Sequence, residues 1–437
     1  MTKRLALLLP PLLAAGAIAV PGWAGTTATT ELVSVSSTGE QGSDQSLGPS
    51  ISANGRYVAF ESDASNLVPG DGNGKRDVFV RDLDAHQTRL VSVSSSGVQG
   101  NRNSGSPSIS ADGRFVAFSS LAGSLVRGDT GTKNDIFVRD LKANTTRRVS
   151  VSSAGVQGDN GSFGPSISAS GRYVAFGSDA NNLVPGDTNG VPDIFVSDPS
   201  RHTIVRASVT SAGAQASRSS FGTLGASISG NGRYVAFEST AGNLAPRDTN
   251  RFYDVFVRDL KTHRTRLVSR SSVRRKRAGV GMDPSISANG RWVAFSSPSK
   301  LVPADKNTRW DIYVRDLKKH SLRLVSLSSS GRQGDGDNYL PSISASGRYV
   351  AFYTQANNLV SGDTNRKIDV LVRDLKAGTT ARVSVNSTGD QGDAASGDPS
   401  ISGDGRFVAF DSQADNLVPV DTNGQIDDVF RRGPLHP

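Results

Sequence analysis

A fourteen-residue stretch that recurs along the chain constrains its fold more than any other feature. The stretch occupies residues 49–62 and reads PSISANGRYVAFES; its further copies begin at Pro107, Pro165, Ala226, Pro284, Pro341 and Pro399. The seven copies start 58, 58, 61, 58, 57 and 58 residues apart. Self-similarity at a fixed period indicates a repeat architecture in which each unit is one supersecondary structure. The 437 residues are therefore expected to form one array, not two or three unrelated domains.

Each unit contains four short apolar runs bounded by turn residues. In the first unit these are residues 49–52, 57–60, 77–80 and 90–93. Their β-branched and aromatic side chains predict strands, and the glycine at Gly55 suits the positive φ of a tight hairpin. The second and third runs are apolar at successive positions, which indicates a sheet buried on both faces. Four antiparallel strands repeated seven times predict an all-β fold, a single seven-bladed β-propeller.

The two ends of the chain complement each other. Residues 32–36 match the fourth strand of a unit and precede the first copy, whereas the last unit has no fourth strand of its own. We therefore expect the ring to close, with residues 32–36 completing the blade that begins at Pro399. The propeller would span residues 31–432 and leave a short tail, residues 433–437.

The repeated motif resembles a known family. The pattern Pro-Ser-Ile-Ser-x-x-Gly-Arg-Tyr-Val-Ala-Phe, followed by Asp-Val-Phe-Val-Arg-Asp-Leu, looks like the WD40-like PD40 repeat of TolB-type propellers. The resemblance covers residues 31–432, although the chain has seven repeats where TolB has six and lacks the extra N-terminal α/β domain of TolB. It implies an envelope or extracellular propeller that binds other molecules, and a shared fold alone carries no function.

The N-terminus has the layout of a secretory signal peptide. Lys3 and Arg4 precede an apolar stretch that ends near small residues at position 24, so residues 1–24 are expected to be removed. No later segment is apolar enough to span a membrane. The chain has no Cys, which excludes disulfides, thiolate metal sites and lipidation at the cleavage site. We expect a secreted or periplasmic monomer that does not bind nucleic acid.

Several repeated residues are expected to hold the scaffold together. The Arg after each turn glycine should meet the Asp that ends the third strand, as in Arg56 with Asp82, Arg114 with Asp140, Arg172 with Asp198, Arg233 with Asp259, Arg291 with Asp316 and Arg348 with Asp374. The seventh unit breaks this pattern, because Arg431 and Arg432 lie opposite Arg406. His86, His202, His263 and His320 share one hairpin position with Asn144 and Gly378, which indicates a turn of positive φ.

The connection between the second and third strands carries a possible cation loop. Asp71, Asn73 and Asp77 in the first unit, echoed by Asp187, Asn189 and Asp193 in the third, place oxygen ligands at positions that suit Ca²⁺. The loops lack a bidentate Glu, and several copies contain Arg or Lys. The same residues also suit an Asx-turn that binds no metal, in which side chains accept loop N–H groups. No cofactor is otherwise indicated.

Residues that depart from the repeat are the candidates for function. They lie in the loops of one rim and at the channel mouth, and they comprise Arg274, Arg275, Lys276, Arg277, Phe163, Phe221, Tyr339, Trp310, Asp283 and Asp398. The basic run Arg274–Arg277 suits an anionic partner, a solvated loop or a processing site. No catalytic motif is present. The prediction is a binding module for a protein or an envelope glycan; the alternative is a polysaccharide hydrolase or lyase that uses rim carboxylates, with or without Ca²⁺.

Overall fold

A computed structural model describes residues 28–220, 225–246, 248, 250–272 and 279–436. These residues form seven four-stranded antiparallel sheets and no helix. Each sheet is one blade, and the blades surround a central channel lined by the first strand of every unit. The predicted seven-bladed β-propeller is confirmed. No helix in the described ranges is long and apolar enough to cross a membrane.

The strands are short and nearly identical from blade to blade. The first blade contains β2 (Ser46–Ile51), β3 (Tyr57–Ser62), β4 (Asp77–Asp82) and β5 (Gln87–Leu90). The second contains β6 (Ser104–Ile109), β7 (Phe115–Ser120), β8 (Asp135–Asp140) and β9 (Thr145–Arg148). The third contains β10 (Ser162–Ile167), β11 (Val174–Ser178), β12 (Asp193–Asp198) and β13 (Thr203–Arg206). The fourth contains β14 (Ala226–Ile228), β15 (Tyr234–Ser239), β16 (Asp254–Asp259) and β17 (Arg264–Leu267).

The remaining blades follow the same order. The fifth contains β18 (Met282–Ile286), β19 (Trp292–Ser297), β20 (Asp311–Asp316) and β21 (Leu322–Leu324). The sixth contains β22 (Asn338–Ile343), β23 (Tyr349–Thr354), β24 (Asp369–Asp374) and β25 (Thr379–Arg382). The seventh contains β26 (Ser396–Ile401), β27 (Val408–Ser412), β28 (Asp428–Gly433) and the N-terminal strand β1 (Thr29–Leu32).

The N-terminal strand closes the ring, as predicted, but it lies earlier in the chain than expected. β1 pairs with β28 from Thr29 opposite Gly433 to Leu32 opposite Phe430. The outer strand of the first blade is displaced in the same way, since it is Gln87–Leu90 and not 90–93. The apolar residues that suggested the later position, Val91 and Val93, are buried where the chain leaves the blade. The prediction followed apolar content, whereas the outer strand itself alternates exposed and buried residues.

The core lies between the blades. Val58, Ala59 and Phe60 in β3 have no exposed surface, because neighbouring blades cover both faces of each sheet. Phe60 also stacks on Phe79 of β4 with ring centroids 5.9 Å apart. Complete burial of such a side chain contributes about 1.5–3 kcal/mol, so repetition in every blade stabilises the whole ring.

A ring of hydrogen bonds surrounds the channel and explains the recurrent Pro-Ser-Ile. Ser50 accepts a bond from the backbone N–H of Ile109 in the next blade at 3.1 Å. Equivalent bonds join the later blades, and Ser400 accepts the N–H of Ile51 at 3.2 Å, which completes the circle. The repeated serine therefore links neighbouring inner strands that share no sheet.

All six predicted Arg–Asp pairs are present. In the first blade, Arg56 Nε and Nη2 donate to the two carboxylate oxygens of Asp82 at 2.8 and 2.7 Å. The other five pairs have nitrogen–oxygen distances of 2.6 or 2.7 Å. Each of these arginines also lies over the aromatic ring that follows it. In the seventh blade Gly433 replaces the aspartate, and Arg431 instead forms an ion pair with Glu31 of β1.

The hairpin position shared by four histidines has the predicted geometry. The φ angles are 52° at His86, 52° at His202, 54° at His263 and 57° at His320, with 55° at Asn144 and 72° at Gly378. Each of these residues lies in the turn of a different blade. The histidines therefore have a conformational role that Asn and Gly fill elsewhere.

Candidate binding site at the channel mouth

The channel opens on the rim that carries the long loops, in a cavity of about 620 Å³. The residue before each inner-strand Pro-Ser or Ala-Ser pair lines it, as expected: Gly48, Ser106, Gly164, Gly225, Asp283, Leu340 and Asp398. All seven have positive φ, including the non-glycine residues Ser106 (51°), Asp283 (54°), Leu340 (47°) and Asp398 (40°). Left-handed backbone at non-glycine residues costs free energy and is often found at functional sites.

Three carboxylates brace this mouth between neighbouring blades. Glu61 Oε2 accepts the N–H of Ser106 at 2.6 Å, Glu238 Oε1 accepts that of Asp283 at 2.7 Å, and Asp411 Oδ2 accepts that of Gly48 at 3.3 Å. All three side chains occupy one position, the residue after Val-Ala-Phe. We did not predict these three residues from the sequence. They could have been identified, because the residue after Val-Ala-Phe varies while the rest of the repeated stretch is nearly constant.

The two predicted channel aspartates have different environments. Asp283 is buried and accepts the hydroxyl of Ser296 at 2.5 Å, so its carboxylate is engaged by the scaffold. Asp398 reaches channel water but is enclosed by protein, and this enclosure, with the negative charge of Glu61, raises its pKa. Burial and the nearby Asp398 raise the pKa of Asp411 well above its usual range. Burial therefore favours the protonated form of both carboxyl groups.

An aromatic cluster lies between the two aspartates around the ring. Trp310 stacks on Tyr339 with centroids 5.4 Å apart, and Tyr339 packs on Tyr353 at 5.5 Å. All three rings are half-buried, and burial raises the pKa of Tyr353 to about 12. The sequence identified Trp310 and Tyr339 as rim residues but missed Tyr353, which lies inside the repeated stretch.

Phe163, a further predicted rim aromatic, lies in a different blade from this cluster. Phe163 lines the channel mouth in the third blade, whereas the aromatic cluster belongs to the fifth and sixth blades. Phe221 and the basic run Arg274–Arg277 lie outside the described residues.

The predicted cation loop of the first unit is occupied by protein donors. Gln99 Nε2 donates to Asp71 Oδ1 at 2.7 Å and to Asp77 Oδ2 at 2.9 Å. Asn73 Nδ2 donates to the same Asp77 oxygen at 2.7 Å, so its amide does not face the carboxylates as a ligand oxygen would. The contact with Gln99 comes from the crossover to the next blade, which sequence spacing within one loop could not reveal.

The third unit uses an arginine for the same purpose. Arg206 Nη1 lies 3.0 Å from a carboxylate oxygen of Asp187 and 3.0 Å from one of Asp193, while Asn189 donates to Asp193 at 2.9 Å. A guanidinium therefore neutralises the pair of carboxylates that was considered for Ca²⁺. Within the described ranges no group of three or more His, Cys, Asp or Glu residues is arranged to hold a metal ion. Calcium binding stays a prediction.

Comparison with known proteins shows that other solved structures have a similar fold. No family model matches the chain, and no curated protein matches it. An oligogalacturonate lyase in complex with manganese has a TM-score of 0.54 at 11% identity, with 93% of this chain and 90% of that chain covered. The β-propeller domain of the Trilobed protease from Pyrococcus furiosus has a TM-score of 0.52 at 12% identity, with 90% and 96% covered.

TolB from Acinetobacter baumannii is also similar. Its TM-score is 0.42 at 15% identity, and the match covers 77% of this chain and 62% of that TolB, so the chain spans less than two thirds of its length. TolB is thus among the similar solved structures, as the repeat motif predicted. At these identities the likeness concerns the fold alone. The chain is a seven-bladed β-propeller, and TolB and other β-propellers are among its structural neighbours.

Proposed function

We propose that this protein is an extracytoplasmic binding module that recognises a glycan at its channel mouth. The observation that carries the proposal is the aromatic cluster of Trp310, Tyr339 and Tyr353, whose member Tyr353 lies near enough to the accessible carboxyl group of Asp398 to interact with its charge. Small-ligand sites combine apolar or aromatic walls with a few convergent polar groups. Aromatic faces suit the apolar C–H faces of sugar rings, and a carboxyl group suits their hydroxyls.

The charge at the mouth narrows the class of glycan. Asp283, Asp398, Asp411 and Glu61 all lie at or beside the cavity. In their ionised forms these carboxylates disfavour uronates and sulfated sugars, because like charges in an enclosed site repel. We therefore propose a neutral or amino-sugar polymer as the ligand. The expected signal peptide, residues 1–24, supports an encounter with such a polymer in the envelope or outside the cell.

The proposal is tested by titrating chito- and gluco-oligosaccharides into the protein lacking residues 1–24, using calorimetry. Trp310→Ala and Tyr339→Ala should each weaken binding at least tenfold, because each removes one of the three stacked rings. Phe252→Ala is the matched control, since Phe252 is 67% exposed and lies in the fourth blade, away from the cluster. Absence of binding by the parent protein, or equal loss in the control, would refute the glycan site.

A second candidate is hydrolysis of a bound polysaccharide. Asp398 and Asp411, whose pKa values are both raised by burial, supply carboxyl groups of the kind that serve as general acids. Asp398→Asn should then abolish product formation while oligosaccharide binding persists. Product formation that survives in Asp398→Asn would remove this candidate and leave the binding proposal intact.

A further inference from the structure

The rim opposite the channel mouth contains a groove between the fourth and fifth blades. Its volume is about 360 Å³, and one wall is the face of β15, β16 and β17 while the other is formed by two turns of the fifth blade. The charged residues that line it are Arg233, Asp259, Arg264, Arg266, Arg291 and Lys318.

The ion pairs in this groove involve only some of its cations. Arg233 and Arg291 are bound by Asp259 and Asp316 at 2.6 Å each. Arg264 lies opposite Asp259 in the sheet register, but both oxygens of that carboxylate already accept bonds from Arg233. Among the residues that the structure describes, Arg264, Arg266 and Lys318 form no ion pair, and all three are exposed.

The homologous groove between the first and second blades serves as an internal comparison. It has a similar volume, about 390 Å³, and contains the same Arg–Asp scaffold. There Gln87 stands in place of Arg264, and Asp112 stands in place of Asn289. Arg89, the counterpart of Arg266, donates to the carbonyl of Leu141 and to Asn144. These two differences make the fourth-blade groove more positive by two charges, and Arg264 and Arg266 form no hydrogen bond of that kind with any residue that the structure describes.

We infer that this groove binds an extended acidic segment of a partner protein. Arg264 and Arg266 are two residues apart on the outermost strand of the blade, so both project from the same face. Two residues of a strand span about 6.4–6.8 Å, and alternate side chains of an extended peptide have the same spacing. Guanidinium groups pair with carboxylates in a planar, two-bond geometry. Alternating acidic residues would match the two arginines, with Lys318 on the opposite wall.

The experiment compares two fluorescent peptides of equal composition in a binding titration with the protein lacking residues 1–24. One alternates Glu and Thr over eight residues, and the other has the order Glu-Glu-Thr-Thr twice. The alternating peptide should bind at least fivefold more tightly at low salt, and binding should weaken as salt screens the charges. Arg264→Gln with Arg266→Gln should reduce its affinity at least tenfold, whereas Arg89→Gln should change it less than twofold.

A gain of binding provides the complementary measurement. Gln87→Arg with Asp112→Asn should give the first-blade groove the charge of the fourth-blade groove, so the stoichiometry should rise from one peptide to two.

Equal affinity for the two peptide orders would overturn the spacing argument. Tighter binding of dextran sulfate than of the alternating peptide would assign the groove to anionic polysaccharides instead. If Arg89→Gln lowered the affinity for the alternating peptide as much as the double variant does, the peptide would be responding only to the net charge of the protein, and the groove would not be its site. None of these outcomes depends on the glycan site at the channel mouth.

Discussion

Gly113 packs so closely against the ring of Tyr57 that a Cβ atom at Gly113 would lie 2.1 Å from Tyr57 Cδ2. The glycine belongs to the turn of the second blade and the tyrosine to the first, so the contact joins two blades. Equivalent contacts occur at every blade junction, including Gly55 against Phe407 where the ring closes. The Gly-Arg-aromatic motif therefore serves two purposes: its glycine fits the preceding blade, and its ring receives the glycine of the next.

Gly113→Ala should destabilise the protein more than Gly97→Ala does. Both glycines have positive φ, 74° and 83°, but nothing lies within 4 Å of a Cβ built at Gly97. The left-handed conformation costs an alanine about 1–2 kcal/mol at either position. At Gly113 the clash with Tyr57 adds about 1–3 kcal/mol, as overpacking does. Urea denaturation measures the free energy of unfolding of both variants. Equal decreases would show that the blade junction accommodates the added methyl group without a loss of stability.

Arg114→Gln should reduce stability at neutral pH and make the free energy of unfolding depend less on pH in the acidic range. The Arg114 guanidinium lowers the pKa of Asp140 to about 2. A lowered pKa means that the pair stabilises the fold fully above the unfolded value, about 3.9, and ceases to do so as pH falls towards 2. Because the Arg114 side chain is 40% exposed, the expected loss of stability at pH 7 is small. Denaturation at pH 7 and pH 3 tests this, and Arg102→Gln, a change outside these pairs, is the control.

Asp411→Asn should stabilise the protein at pH 7 to 8. Burial and Asp398 raise the pKa of Asp411, so the folded state binds more protons than the unfolded state between the two pKa values. Stability is then highest below the unfolded pKa and falls as pH rises through the folded pKa. Asparagine removes this titration while its Oδ1 can still accept the N–H of Gly48. The melting temperatures of the parent protein and Asp411→Asn, measured from pH 4 to 8, should converge at low pH. A difference that persists there would contradict a raised pKa at Asp411.

Gln333→Leu should destabilise the fifth blade and make its stability more sensitive to pH. Gln333 Nε2 donates to Asp305 at 2.8 Å and to Asp311 at 2.7 Å, and Asp311 has its pKa raised to about 6 by burial. Leucine leaves two carboxylates without their shared donor, which costs about 1–3 kcal/mol for each unsatisfied group. Thermal melts of parent and variant with calcium or chelator provide the measurement. A parent protein that melts earlier in chelator would support the calcium hypothesis instead.

Most of the scaffold could be predicted because its interactions recur. Arg56 and Asp82 are 26 residues apart, and their counterparts keep nearly that spacing, so hairpin topology alone predicts each pair. The contact between Gln99 and Asp71 could not be predicted in this way, because it crosses from one unit to the next. Glu61 and Asp411 occupy a position without a common residue type, and their bracing role depends on the bulge in the neighbouring inner strand.

The aromatic cluster at the candidate site could be predicted only in part, because only some of its residues depart visibly from the repeat. Trp310 and Tyr339 lie where the repeat varies, which marks them as candidates. Tyr353 lies in the most regular strand of the unit and is distinguished by a single side chain. Which aromatic residues meet depends on the stagger between the fifth and sixth blades, and that stagger is a property of packing.

The pairing of β1 with β28 determines when this ring can finish folding. Glu31 and Arg431 bond across 400 residues, so the first strand to be synthesised finds its partner only after the last one exists. Until then the seventh blade has three strands, and the outer edge of β28 presents unpaired backbone groups. Contacts between residues so distant in sequence form slowly. The chain is therefore exposed to aggregation longest at the seam between its two termini, where neighbouring copies could exchange their first strands.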